Sequence, residues 1–170
     1  MKTIILVGFP GSGKSTVGKR LASRLSLPFY DTDVYFTQKY HISISDFFST
    51  YGEKFFRICE NSVLKELLAL PPCVISTGGG LPCYFEAMEL MNETAFTIYL
   101  KLSPKSLFNR LYYSKKERPL VKNMTQEVLS RYVEQTLQQR DIFYSKAKLC
   151  IKGEDMKLDD LVEKLHSLLL

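Results

Sequence analysis

The sequence predicts an α/β fold of three layers, in which helices cover both faces of a doubly wound, mainly parallel sheet of five strands. Three observations predict this fold class. Short β-branched apolar runs alternate with helical patterns, a glycine-rich phosphate-binding pattern joins the first run to the first helix, and polar residues follow three of the runs. The 170 residues suit one domain, 1–170, because no linker, repeat or low-complexity tract divides them.

The spacing of apolar residues along the sequence predicts where the strands and helices lie. Short runs of β-branched and apolar residues predict strands at 3–7, 28–30, 73–76, 96–100 and 148–151. Apolar residues at helical spacing predict helices at 17–25, 53–69, about 84–91, from Pro104 with Ser103 as N-cap, from Thr125 to about Ser145, and at 158–168.

Two segments are less regular. Within 34–52 we expect only a short helix around 44–51, with Ser45 as its N-cap and Gly52 at its C-terminal end. Residues 113–124 are polar and basic and lack a period, which predicts a mobile loop.

Composition and charge exclude several classes of function. The chain is 45% hydrophobic and 24% charged, as is typical of a globular protein. Its net charge of +5 is compatible with anionic substrates, but no basic stripe is interleaved with aromatic residues, so we expect no nucleic-acid partner. The first apolar run stops at Gly8, too short for a signal peptide, and no run approaches a membrane span. We therefore expect a cytoplasmic protein with no membrane partner, whose four cysteines are reduced.

The strongest motif is the stretch Gly8 to Thr16, which fits the P-loop pattern G-x-x-x-x-G-K-[ST]. A predicted strand precedes it and a predicted helix follows it, which is the context that the motif requires. Glycines let backbone N–H groups and the helix N-terminus surround phosphate oxygens. Lys14 is then expected to reach the β- and γ-phosphates, and Ser15 to ligate Mg²⁺. An ordinary glycine-rich turn is the alternative, and the spacing disfavours it.

Two further polar clusters follow predicted strands, and each has a plain alternative. In open α/β sheets, ligands bind beyond the carboxyl ends of the strands, where the P-loop, the Asp31/Asp33 pair and the triple glycine 78–80 all fall. The two aspartates either cap a turn or supply carboxylates for Mg²⁺ and for an attacking hydroxyl. The glycines either form a simple turn or admit a substrate to bare backbone N–H groups.

Four charged residues are also candidates, although none is decisive alone. Arg57 and Glu60 are spaced i, i+3 on a predicted helix, which indicates either a surface ion pair or a guanidinium oriented to grip a substrate carboxylate. Arg118 lies in the predicted mobile loop, where it is either a solvated side chain or a lid arginine that closes over phosphates. Arg140 says little by itself.

The order of these motifs resembles that of shikimate kinases. The P-loop at 8–16 is followed by D-T-D at 31–33, F-R-x-x-E at 56–60, G-G-G at 78–80 and R-P-L at 118–120, and the match runs to about residue 150. The resemblance implies a nucleoside-monophosphate-kinase-like fold with a substrate-binding segment at about 32–60 and a lid at about 112–124. It also implies transfer of the γ-phosphoryl group of ATP to the 3-hydroxyl of shikimate in aromatic amino-acid biosynthesis. ATP, Mg²⁺ and shikimate would be the only partners of a monomer.

On the ATP side, the resemblance implies that one continuous segment binds the phosphates. Its residues are Gly11, Ser12, Gly13, Lys14, Ser15 and Thr16. Ser15 would ligate Mg²⁺ and Asp31 would support that metal. Arg118 would act on the phosphates from the lid, and Arg110 would stack on adenine.

On the acceptor side, the resemblance implies that residues from distant parts of the chain bind shikimate. They are Asp33, Arg57, Gly78, Gly79, Gly80, Arg140 and Glu60, with Pro10, Phe48 and Phe56 shaping the pocket. Arg57 and Arg140 would hold the substrate carboxylate, and Glu60 would orient Arg57. Asp33 would bind the hydroxyls and act as base, which makes Lys14, Asp33 and Arg118 the expected catalytic residues.

The chain departs from the family pattern in two places, and two other functions compete. Tyr35 and Phe36 stand where the family usually has an aliphatic–Glu pair, and 152–157 lacks an arginine often found near the adenine. A kinase of the same fold that acts on gluconate or a nucleotide is the first alternative. A non-catalytic nucleotide-binding or regulatory module is the second.

Overall fold

The computed structural model of the protein describes residues 2–114, 121 and 123–169. Five strands form one parallel sheet in the order β2-β3-β1-β4-β5. The strands are β1 Ile4–Val7, β2 Phe29–Asp31, β3 Val74–Ser76, β4 Phe96–Lys101 and β5 Leu149–Lys152. The helices within the described residues are α1 Lys14–Leu25, α2 Thr32–Tyr40, α3 Ile44–Leu68, α4 Ala87–Thr94, α5 Pro104–Tyr112, α6 Gln126–Tyr144 and α7 Leu158–Leu169. The predicted α/β fold with a five-stranded parallel sheet is confirmed.

The central strand β1 shows why the sheet has a helical layer on each face. Ile4 and Leu6 pack with residues of α1 and α7, whereas Ile5 and Val7 pack with residues of α3, α4 and α6. All four side chains are buried because neighbouring residues of a strand point to opposite faces. A strand buried on both faces has to be apolar throughout, which explains the unbroken run in the sequence.

The segment 34–52 is more helical than its sequence pattern predicts. Helix α2 occupies Thr32–Tyr40, and the expectation of irregular structure there was wrong. Only Thr32 and Phe36 of this helix are buried, so its apolar period is too weak to detect. The carboxylate of Asp31 caps it by accepting hydrogen bonds from the backbone N–H groups of Asp33 at 3.0 Å and Val34 at 3.4 Å.

Helix α3 also begins and continues differently from the prediction. Its N-cap is Ser43, whose hydroxyl accepts from the N–H of Asp46 at 3.1 Å, and not Ser45. Gly52 does not end a separate helix but forms a kink at φ 79°, a conformation that favours glycine. Likewise α4 starts at Ala87 and not at 84, because a 3₁₀ turn, Leu81–Cys83, and two residues with positive φ precede it.

The strand order brings three polar segments to one edge of the sheet. β1, β2 and β3 are neighbours, and Ser76 at the end of β3 is in register with both Leu6 and Asp31. The P-loop follows β1, Asp31 ends β2, and the triple glycine follows β3, so all three segments meet beyond the carboxyl ends of these strands.

Other expectations have mixed outcomes. The four cysteines are present as thiols, as predicted. No helix in the described part of the chain is long and apolar enough to cross a membrane. The lid expected at about 112–124 falls largely on 115–120 and 122, which lie outside the described residues, as does Arg118.

Candidate active site

The P-loop wraps around the start of α1 and uses Lys14 to hold its own backbone. Gly13 is the N-cap of the helix at φ 95°, where a residue with a side chain is strained. The Nζ of Lys14 donates to the carbonyl oxygens of Gly8 and Phe9, both at 2.9 Å, and the lysine is only 6% exposed. The loop therefore forms a closed cradle with a cation built into its wall.

Ser12 supplies the observation that points to a ligand in this cradle. Its residue is 2% exposed, and its hydroxyl oxygen has no hydrogen-bond partner within the described residues. A buried polar atom without a partner is costly unless a ligand or water completes it. Because it lies beside the N-terminus of α1, a phosphate oxygen of ATP fits this role.

Ser15 and Asp31 meet where a metal ion would be needed. The hydroxyl of Ser15 donates to a carboxylate oxygen of Asp31 at 2.5 Å, and the hydroxyl oxygen of Ser76 lies 3.4 Å from that of Ser15. These are the hard oxygen donors that Mg²⁺ prefers, and Mg²⁺ usually takes only one or two protein ligands together with substrate phosphates. The residues described contain no group of three or more acidic, cysteine or histidine side chains that could hold a metal ion by themselves. The donor set thus fits Mg²⁺ bound with ATP.

The two aspartates of the D-T-D motif have different surroundings. Asp31 caps α2 and also accepts a hydrogen bond from the Ser15 hydroxyl, so the turn-capping role and a role toward a metal ion are compatible. Asp33 faces the glycine turn, since a Cβ on Gly78 would lie 2.6 Å from its Oδ1 atom. Thr32 between them accepts a hydrogen bond from the N–H of Gly78 at 2.8 Å, which fixes the turn against α2.

Arg57 and Glu60 form a buried ion pair, which excludes the surface-pair interpretation. An Nη atom of Arg57 donates to Glu60 at 2.8 Å, and the two residues are 9% and 4% exposed. Glu53 accepts from the Nε and second Nη atoms at 3.3 and 3.2 Å. A Cβ on Gly80 would lie 2.6 Å from both Nη atoms, so the guanidinium packs directly against the backbone of the glycine turn.

Three aromatic rings complete the surroundings of Arg57. Its guanidinium carbon lies 4.5 Å from the ring centroid of Tyr84, 5.2 Å from that of Phe56 and 5.8 Å from that of Phe48. The rings of Phe48 and Phe56 are themselves 4.5 Å apart. Carboxylates and rings together hold the planar cation in one orientation, which suits bidentate binding of a substrate carboxylate.

Burial changes the acidity of the Arg57–Glu60 pair. Burial raises the pKa of Glu60 to about 7, the charge of Arg57 opposes this, and the nearby carboxylate of Asp33 adds to it. Burial lowers the pKa of Arg57, but the charge and hydrogen bond of Glu60, together with Tyr84 and Glu53, more than offset this, so that the pKa of Arg57 lies above its usual value. Arg57 therefore stays charged, while Glu60 titrates near neutrality.

Arg140 reaches the same region from α6. Its guanidinium carbon lies 6.0 Å from the ring centroid of Phe9, and its charge acts on Glu60. Pro10 packs against the middle of the glycine turn, because a Cβ on Gly79 would lie 2.5 Å from its Cδ atom. The acceptor side of the cleft is thus lined by two arginines, two carboxylates and bare backbone.

Most of the predicted site residues that the structure describes lie at this edge of the sheet, with two exceptions; Arg118 lies outside the described residues. Arg110 lies on the outer side of the P-loop, where its Nη1 atom donates to the carbonyl of Ser12 at 3.1 Å. Thr16 is an exposed residue of the first turn of α1. Neither position contradicts a role toward ATP.

The structure adds residues that the sequence reasoning missed. Glu53 stands four residues before Arg57, and this helical spacing was a signal for their contact. Ser76, Tyr84 and Tyr144 had no comparable signal, since strand order and helix packing bring them to the cleft.

Comparison with known proteins identifies relatives of the whole chain. The family model "Shikimate kinase" matches residues 10–169. A curated shikimate kinase from Parabacteroides distasonis is 39% identical over 170 residues, covering 100% of this chain and 98% of that protein. One from Azobacteroides pseudotrichonymphae is 40% identical over 166 residues, covering 97% and 98%.

The solved structures that are similar to this chain also include shikimate kinases. The crystal structure of shikimate kinase from Bacteroides thetaiotaomicron is similar with a TM-score of 0.92 at 35% identity and covers 99% of this chain and 98% of that one. Shikimate kinase from Acinetobacter baumannii in complex with shikimate gives a TM-score of 0.86 at 31% identity, covering 99% and 92%. A gluconokinase from Sinorhizobium meliloti has a TM-score of 0.57 at 16% identity, covering 96% and 88%, which is a likeness of fold alone.

Proposed function

Because the chain belongs to the shikimate kinase family, we propose that it transfers the γ-phosphoryl group of ATP to the 3-hydroxyl of shikimate. One observation supports this most directly: the P-loop with its buried lysine packs against a glycine turn that also contacts a buried, oriented arginine and the carboxylate of Asp33. A hydroxy acid needs a cation for its carboxylate and an acceptor for its hydroxyls. Gluconate kinase activity is disfavoured because the likeness to a gluconokinase is one of fold only.

ATP binds along the P-loop in this proposal. Backbone N–H groups of Gly11 to Thr16 surround the phosphates, and the Ser12 hydroxyl, which lacks a partner in the described part of the chain, donates to a phosphate oxygen. Lys14 neutralises charge that spreads over the transferred group in the transition state. Arg110, whose Nη1 atom donates to the P-loop carbonyl of Ser12, borders the adenine in this proposal.

Mg²⁺ accompanies ATP, held by the Ser15 hydroxyl with Asp31 beside it. When bound, the metal neutralises charge on the β- and γ-phosphates. Asp31 also caps α2, so the same carboxylate ties the metal position to the helix that carries Asp33.

Shikimate binds on the opposite side of the cleft. Arg57 and Arg140 hold its carboxylate, and Glu60 and Glu53 fix the plane of the Arg57 guanidinium. The bare backbone of the glycine turn lets the ring approach, with Phe48, Phe56 and Pro10 forming the apolar wall. Asp33 accepts a hydrogen bond from the reacting hydroxyl and takes its proton.

Positioning dominates the chemistry of phosphoryl transfer, and the fold supplies it through two rigid elements. The P-loop fixes the donor, and the α2–α3 segment with the glycine turn fixes the acceptor. The role of Arg118 over the phosphates, the monomeric state and the cytoplasmic location stay predictions.

Release of ADP from ATP and Mg²⁺ tests the proposal. Purified protein is assayed with shikimate, with gluconate, with nucleoside monophosphates and without an acceptor. ADP release that depends on shikimate alone is expected. Release with another acceptor would keep the kinase and change its substrate, and no release with any acceptor would favour a regulatory module.

A further inference from the structure

The hydroxyl of Tyr144 contacts the glycine turn at its centre. Tyr144 is the last residue of α6 and is fully buried, and its hydroxyl donates to the carbonyl oxygen of Gly79 at 2.5 Å. The peptide that this carbonyl begins also contains the N–H of Gly80. The hydrogen bond therefore sets the orientation of a backbone unit that lines the acceptor side of the cleft.

Arg140 stands one helical turn before Tyr144 on α6. Burial raises the pKa of Tyr144, and the positive charge of Arg140 acts in the opposite direction. The hydrogen bond of Tyr144 thus joins the glycine turn to the last turn of the helix that carries the second arginine assigned to the substrate carboxylate.

Three consecutive glycines need external support to keep one conformation, because glycine has the largest backbone freedom. Side chains hold the turn at two of its three residues. Thr32 accepts from the N–H of Gly78 at 2.8 Å, and Tyr144 donates to the carbonyl of Gly79. The first contact ties the turn to α2, and the second ties it to α6.

We propose that Tyr144 is a positioning residue for the acceptor substrate, whose hydroxyl locks the Gly79 carbonyl to the helix that carries Arg140. The glycine turn and the Arg140 guanidinium then form one preorganised surface for shikimate. This inference rests on the proposed function and adds a residue to it that has no substrate contact of its own.

Tyr99 provides a matched control. It is also buried, its ring centroid lies 5.2 Å from that of Tyr144, and its hydroxyl donates to Asp141 at 2.7 Å. Tyr99→Phe therefore removes a hydroxyl of the same kind from the same part of the core, but it leaves the glycine turn and Arg140 untouched.

The test compares the steady-state kinetics of wild type, Tyr144→Phe and Tyr99→Phe. Loss of one well-formed buried hydrogen bond in Tyr144→Phe is expected to raise the KM for shikimate about tenfold, with the KM for ATP unchanged and kcat less affected. Tyr99→Phe is expected to lower the thermal midpoint of unfolding and to leave both KM values unchanged. An unchanged KM for shikimate in Tyr144→Phe, or an equal rise in Tyr99→Phe, would overturn the proposal.

Hydrogen–deuterium exchange of the wild-type enzyme keeps the proposal testable if Tyr144→Phe does not fold. The backbone amide of Gly78, which donates to Thr32, is expected to be protected before shikimate is added, and free exchange there would contradict a preorganised turn. Wild-type activity distinguishes the two hypotheses. If the wild type shows no shikimate-dependent ADP release, both the proposed function and the role of Tyr144 are wrong. If the wild type is active and the kinetics of Tyr144→Phe are unaltered, only the role of Tyr144 is wrong.

Discussion

The proposed site has a donor side, which binds ATP, and an acceptor side, which binds shikimate, and the two sides are built in different ways. The donor side takes its phosphate-binding groups from one continuous segment, Gly8 to Thr16, which offers mainly backbone N–H groups, one lysine and the serine hydroxyls, with Asp31 beside Ser15. The acceptor side takes Asp33 from α2, Arg57 and Glu60 from α3, the glycine turn after β3, and Arg140 from α6. A triphosphate can be recognised by local backbone geometry, whereas a hydroxy acid needs side chains that only the complete fold brings together.

This comparison predicts that the largest loss of activity follows from replacing a single residue of the donor side. Lys14→Ala is expected to lower kcat by about 10³-fold, because one preorganised cation facing the transferred group stabilises charge that develops in the transition state. Lys19→Ala, at an exposed position of the same helix, is the matched control and should keep wild-type activity. ADP release at saturating substrates measures both, and a Lys14→Ala enzyme with more than a tenth of the wild-type kcat would contradict the assignment.

On the acceptor side, substitution of Arg57 is expected to have the next largest effect on the kinetics. Arg57→Lys is expected to raise the KM for shikimate about 100-fold, because an ammonium group cannot reproduce a bidentate guanidinium contact. The KM for ATP serves as the internal control and should stay within about twofold of wild type, which keeps the two sides separable. A variant whose dependence on shikimate is unchanged would remove Arg57 from the site.

The contrast also explains how much the sequence predicts. The P-loop could be read completely because its residues are contiguous and its strand-to-helix context is local. The spacing of Arg57 and Glu60 predicted their contact but not their burial, which depends on packing of α3 against the rest of the chain. Ser76 could not be found because its closeness to Ser15 depends on the order of β1 and β3 in the sheet.

Helix α2 is an element of the fold that the sequence pattern does not predict. Its few buried residues give little helical period, and the Asp31 cap that starts it also belongs to the site. The sequence therefore indicated chemistry at 31–33 without indicating the helix that presents Asp33.

Charge burial on the acceptor side predicts a pH-dependent stability. Because the pKa of Glu60 is raised to about 7, the folded state binds more protons than the unfolded state between about pH 4.5 and pH 7. The contribution of Glu60 is therefore present at low pH and is lost as the pH rises through about 7. Between pH 5 and pH 7 this loss is expected to be about 1–2 kcal/mol of the free energy of unfolding.

Urea unfolding of wild type and Glu60→Gln measures this contribution. Glutamine keeps the shape of the side chain and cannot ionise, so the stability of the variant relative to wild type should rise between pH 5 and pH 7. Parallel pH profiles of the two proteins would show that Glu60 does not titrate in this range, and the burial argument for its pKa would then be wrong.

Substitution of Gly80 is expected to have the smallest effect on activity. The donor and acceptor sides need glycine for different reasons. Gly13 in the P-loop has φ 95°, so an added side chain strains the backbone itself. Gly80 has φ −87°, which any residue adopts, and a Cβ there meets the guanidinium of Arg57, with both Nη atoms at 2.6 Å and Cζ at 2.8 Å. Gly80→Ala should therefore displace the end of one side chain, a distortion of about 1 kcal/mol, and raise the KM for shikimate about fivefold with kcat and the KM for ATP unchanged. Gly13→Ala should instead impair ATP binding, and equal effects of both variants on both substrates would show that the two sides are not independent.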